Sequence, residues 1–127
     1  MQEMYLFEYS VIRIVPRVER EEFLNAGVIL YCPDKCFLQT ISELNEKRLS
    51  SFFSEINIEE LKERLVAFDR ICKGLSDSGP IGKLATASRF RWLTATRSTI
   101  LQTSPVHSGL CKDPSETLNR LFLQLIS

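Results

Sequence analysis

A chain of 127 residues, 44% apolar and 25% charged, has the composition of an ordinary folded domain, which excludes disordered and fibrous classes. Its 16 basic and 16 acidic groups cancel, so the molecule as a whole has no net attraction to nucleic acid or acidic membranes. No stretch approaches the roughly 18 consecutive apolar residues of a membrane span, and the length predicts one α+β domain over residues 1–127.

The first predicted element is a strand over residues 5–15. Tyr5, Phe7, Tyr9 and Val11 share one face at period two, Glu8 and Ser10 point the other way, and Pro16 stops the run. Glu19, Arg20, Glu21 and Glu22 make a charged connection. A buried strand follows at Val28-Ile29-Leu30-Tyr31, where the preceding Gly27 allows a bulge or a close backbone approach. The turn Pro33-Asp34-Lys35 leads into Phe37-Leu38-Gln39-Thr40-Ile41, an antiparallel hairpin.

From Asn45 the period changes. Leu49, Phe52 and Phe53 suggest a short helix. Asn57 stands three residues before Glu60 in a capping-box-like pair, and Ile58, Leu61, Leu65, Phe68 and Cys72 form one apolar helical stripe that ends near Gly74. Residues 76–82 are a loop by composition. Segment 86–95 fits either a short helix or irregular chain. Thr99-Ile100-Leu101-Gln102-Thr103 reads as a fourth strand. A last helix is capped by Asp113, with Pro114 in its first turn and an apolar face of Leu118, Leu121, Phe122 and Leu125. This order predicts an α+β fold, a mostly antiparallel sheet of about four strands with helices packed on one face.

The cysteines are Cys32, Cys36, Cys72 and Cys111. The chain opens without a secretory signal, so four free thiols in a reducing cytoplasm are expected. Cys32 and Cys36 are spaced C-x3-C across a turn, with no second pair or histidine cluster to complete a metal site. Cys72 is expected on the buried side of its helix. No metal and no cofactor is predicted.

Charge is unevenly spread. Residues 1–77 sum to −4, residues 78–112 to +5 with no carboxylate, and residues 113–127 to −1. The positive block holds Arg89, Arg91, Trp92, Arg97, Ser98, Thr99 and His107, a set suited to gripping an anion through guanidinium forks, hydroxyls and an aromatic face. Arg13, in the middle of the first strand, is a further candidate for the same pocket. In the competing structural reading the arginines pair with Glu8, Glu19 and Glu22, and Trp92 is core or core rim.

On a strand Arg89 and Arg91 share a face, whereas on a helix they splay by roughly 200°. His107 is placed in a loop. Its neighbour Cys111 would be a nucleophile only if the two were in contact, and no other reaction motif is present, so catalysis is not expected. The leading reading is a non-catalytic interaction or regulatory module that binds a partner protein or a phosphorylated, anionic ligand through its Arg-rich edge. The alternative is a nucleic-acid or nucleotide binder that stacks bases on Trp92 and Phe90. An enzyme using His107 ranks third.

Tyr9-Ser10-Val11-Ile12-Arg13-Ile14-Val15-Pro16, Glu22-Phe23-Leu24-Asn25-Ala26-Gly27-Val28-Ile29-Leu30 and the block from Arg89 to Thr99 with Ser104-Pro105-Val106-His107 together resemble the bacterial domain-of-unknown-function family 3037. The resemblance covers nearly the whole chain. Thr96 departs from it, where members commonly have proline. It implies a small bacterial cytoplasmic protein with no established activity. Such proteins are often encoded beside a kinase-like protein similar to persistence toxins, which implies a regulatory or antitoxin-like partner role. Ser98, Thr99 and Ser104 are then candidate phospho-acceptors.

Overall fold

A computed structural model of the chain describes residues 3–16, 22–53, 56–97 and 99–126. The charged connection through Glu19, Arg20 and Glu21, and the candidate Ser98, lie outside the described residues.

The centre of the sheet is β1, Tyr5–Ile14, with β2, Leu24–Cys32, antiparallel beside it. Val28, Ile29, Leu30 and Cys32 are all fully buried, so β2 needs cover on both faces. A turn at Pro33–Lys35 and a left-handed Cys36 (φ 49°) lead into β3, Phe37–Ser42, as the hairpin reading expects. Gly27 lies where β2 and β3 approach closely. A Cβ there would sit 2.6 Å from the Ile41 carbonyl oxygen. The register of β1 against β2 shifts at Ile12 and Arg13, so of the two features the sequence allows here, the close approach is at this glycine and a bulge is beside it.

Among the described residues four helices complete the fold: α1, Glu46–Phe52; α2, Ile58–Lys73; α3, Thr86–Leu93; and α4, Pro114–Leu125. Asn57 caps α2 by accepting from the Glu60 amide (3.1 Å), and Gly74 ends it in the left-handed conformation. Asp113 caps α4 by accepting from the Ser115 amide (3.0 Å). The undecided segment 86–95 is thus helical over α3.

The α+β class and the antiparallel sheet are as read from the sequence. The helices, expected on one face, divide between two. Leu65, Phe68 and Cys72 of α2 and Phe90 and Leu93 of α3 pack on Ile12, Ile29, Tyr31 and Leu38. On the opposite face Leu118 and Leu121 of α4 pack on Phe7, Val28, Leu30, Cys32 and Cys111. α1 closes one end, with Leu49 against Ile14, Ala26 and Leu61. The physical reason is the unbroken apolar run of β2, which a single helical layer would leave half exposed to water.

The second edge of β1 is shared by two short strands, giving five among the described residues. β4, Leu101–Thr103, pairs with Ile12–Ile14, and β5, His107–Cys111, pairs with Tyr5–Tyr9. The predicted fourth strand is therefore shorter than expected, and Thr99 precedes it. His107, expected in a loop, opens β5. Pro105 and Gly109 on either side of His107 do not prevent the strand. Pro105 falls in the joint between the two strands, where no ladder amide is needed. Gly109 lies under the Phe7 ring, whose Cε1 and Cζ would be 2.9 Å from any Cβ.

That joint is held from inside. Ser104 is 2% exposed, its amide donates to the Val11 carbonyl (2.8 Å), and its Oγ accepts from the Val11 amide (2.8 Å). Buried Ser10 donates to the Ser104 carbonyl (2.5 Å). Ser104 is a structural clasp, and its burial removes it from the candidate phospho-acceptors.

Candidate functional site

α3 carries Arg89, Arg91 and Trp92, and its helical pitch separates the two arginines instead of pairing them. Arg89 turns toward the end of α2. Its Nη1 donates to the Leu84 carbonyl (2.6 Å), and the guanidinium lies against Gly74. A cation beside the carbonyl end of α2 is favourable, so Arg89 fastens the loop between α2 and α3. Arg91 turns toward the sheet and grips Glu8 with both terminal nitrogens, at 2.8 and 2.6 Å. Those hydrogen bonds push the Arg91 pKa up from its ordinary value. The competing salt-bridge reading therefore holds for Arg91 and Glu8.

Arg97 is different. Its guanidinium carbon lies 4.0 Å from the centre of the Trp92 ring, and it donates to the Trp92 carbonyl. Among the described residues it has no carboxylate partner. Burial pushes its pKa down, because the cation has given up water without gaining a negative neighbour. The indole is 39% exposed, so the stacked pair faces solvent.

Trp92, Arg97 and Thr99 line a groove of about 360 Å³ between α2, α3 and β4. Its floor is apolar, from Phe68, Ile71, Leu93 and Leu101. Its rim is polar, and Arg64 of α2 with Gln102 and Thr103 of β4 were not found from the sequence. Arg64 is paired to Glu60 on an exposed helix surface (3.1 Å). Its place one turn before Phe68 was the available signal, since i,i+4 positions share a helix side. The Thr99 hydroxyl donates to the Leu101 carbonyl (2.7 Å), and the Gln102 amide donates to the Thr99 carbonyl (2.8 Å), which shapes the turn into β4.

The other candidates lie apart. His107 pairs with Tyr9 across the strands, with ring centres 5.2 Å apart on the α4 face, whereas Glu8 and Arg91 are on the α3 face. Arg13 lies 4.2 Å over the Phe23 ring, and its buried Nε has no hydrogen-bond partner among the described residues. Phe90 is fully buried against Tyr31 and is no stacking platform. His107 and Cys111 are four residues apart on one strand, about 13 Å at the strand rise, so thiol and imidazole do not meet. Burial pushes the Cys111 thiol up, away from reactivity. All four cysteines are free, and Cys36 alone is exposed. Among the described residues no helix is long and apolar enough to cross a membrane.

The geometry thus keeps one part of the expected constellation together, Trp92, Arg97 and Thr99, and assigns Arg89 and Arg91 to internal contacts. A comparison with protein families matches residues 9–126 to the one described as "Protein of unknown function (DUF3037)". No curated protein and no solved structure matches the chain.

Proposed function

The chain belongs to the DUF3037 family, whose description assigns no activity, and we propose that it is a non-catalytic interaction module that binds an acidic or phosphorylated segment of a partner protein. The binding site is the groove between α2, α3 and β4. One observation carries this reading: Arg97 is partly desolvated and laid on an exposed indole, without a carboxylate of its own among the described residues. An incoming phosphate or carboxylate supplies the missing charge, the threonine hydroxyl and Gln102 line its approach, and the apolar floor receives a neighbouring side chain. A phosphorylated kinase-like partner is the specific form of this reading that the family resemblance suggests.

The exposed indole also favours a second reading, in which a nucleic-acid base stacks on Trp92. Trp92 is the only tryptophan, so its emission reports the groove directly. Titration with a phosphoserine peptide is expected to change that emission. Arg97→Ala should weaken binding about tenfold or more, the loss of a charge-assisted hydrogen bond worth about 1.5–3 kcal/mol. Equal binding of the unphosphorylated, neutral peptide would refute the proposal. Binding of a single-stranded oligonucleotide that falls steeply with salt would favour the second reading.

A further inference from the structure

The outer edge of β5 is the least protected part of the sheet. Natural sheets guard a free edge with lysines, prolines or bulges, because unpaired backbone amides and carbonyls invite another strand. Here residues 98–111 carry no charge at all. Pro105 guards only the joint beside β4. Beyond it, among the described residues, His107–Cys111 pairs with β1 and with nothing else. The opposite edge, β3, is in another position. α2 and α4 flank it on both faces, and its Thr40 donates to Asp69 of α2 (3.0 Å).

Three large apolar side chains meet solvent along this edge, beside exposed but uncharged His107 and Ser108. Leu110 is 61% exposed, Val106 37%, and Leu6, directly across from Leu110 on β1, 52%. Positions 106, 108 and 110 share the face of the sheet that α3 leaves uncovered here. The pattern is self-complementary. If a second copy runs antiparallel with Ser108 on the two-fold axis, each Leu110 faces the partner's Val106, and a row Leu6, Leu110 and the partner's Val106 closes over the seam. On the other face each His107 faces the partner's Gly109, so bulk meets space. No like charges oppose one another.

We propose that β5 is a homodimer edge, through which two copies join their sheets antiparallel about Ser108. The interface is isologous, one strand from each copy, and falls at the small end of specific interfaces, below about 1,200 Å², so the dimer is reversible and concentration-dependent. This inference is independent of the groove between α2, α3 and β4, which lies against β4.

Sedimentation velocity of the full chain across a concentration series tests it. The expected result is a shift from the 14.6 kDa monomer to twice that mass as concentration rises. Leu110→Lys should hold the protein monomeric with an unchanged circular dichroism spectrum. Ser108→Cys, in a Cys36→Ser background, should form a disulfide-linked dimer on mild oxidation, because the two-fold axis sets the two thiols directly opposite each other, where a small closing of the strands brings them within disulfide reach. Ser115→Cys, on α4, should not. A monomer at every concentration overturns the proposal. So does a dimer that Leu110→Lys leaves intact, or one in which Ser108→Cys and Ser115→Cys cross-link equally. Should Leu110→Lys fail to fold, the contrast between the two cysteine variants decides alone.

Discussion

Among the arginines of the positive block, a two-point grip on a carboxylate separates a fastened side chain from an available one. Arg91 holds Glu8 by both terminal nitrogens, yet the arginine side chain is more than half exposed. Such a pair in contact with water contributes about 0.2–1 kcal/mol, more toward the upper end where the geometry is bidentate. A double-mutant cycle of Glu8→Gln and Arg91→Met, measured by urea unfolding, should return a coupling energy near that upper end. A coupling indistinguishable from zero would mean that the contact is dispensable and that Arg91 is available to an outside ligand after all. Arg97→Met should cost the fold less than Arg91→Met, because its contacts are a backbone carbonyl and a ring that remain satisfied by solvent or by packing.

At the scale of elements, the close approach of β2 and β3 at Gly27 is the most demanding local feature. Gly27→Ala would press a methyl onto the Ile41 carbonyl and the Ser42 Cα and Cβ, all within 2.6–2.9 Å. Backbone cannot yield as a flexible side chain can, so destabilisation of about 1–3 kcal/mol is expected, read as a lower urea midpoint with an unchanged slope. An unaltered midpoint would show that the hairpin is free to open at this point. Most elements were legible in the sequence: β1, β2, β3, α2 and α4 each follow a clear period or cap, and Gly27 marks a place for a bulge or a close backbone approach. α3 was only half legible, because Arg89, Phe90, Arg91 and Trp92 place charge and ring alternately and so leave no clear apolar stripe to separate a short helix from irregular chain. β5 was missed because its residues are neither alternating nor strongly apolar. It becomes a strand through pairing with β1, a contact distant in sequence. The site suffered from the same limit. A cluster of arginines along the chain does not reveal which of them already has a carboxylate in space, and Glu8 lies 83 residues from Arg91.

Over the whole molecule, helices on the two faces of one sheet seal three of the four cysteines, Cys72 under α2 and α3 and Cys32 and Cys111 under α4. Burial pushes the Cys72 thiol from its ordinary 9.0 up to about 12, and burial raises Cys111 as well. The sign follows from proton counting. Between 9.0 and about 12 the folded chain keeps a proton at Cys72 that the unfolded chain has lost, so stability is whole below that window and declines as pH rises through it. Urea midpoints taken across the window should fall with pH, and Cys72→Ala should flatten the decline. If the alanine variant declines just as steeply, the alkaline sensitivity belongs to other groups.

The clasp at Ser104 gives the central strand an unusual weak spot. The Val11 amide proton is held by a hydroxyl oxygen, which can swing away by rotation about one bond, whereas Ile12 beside it is paired with Gly27 in the β1–β2 ladder. Deuterium should therefore enter at Val11 faster than at Ile12, although both side chains are sealed from water, and Ser104→Ala should speed that entry further while leaving Ile12 slow.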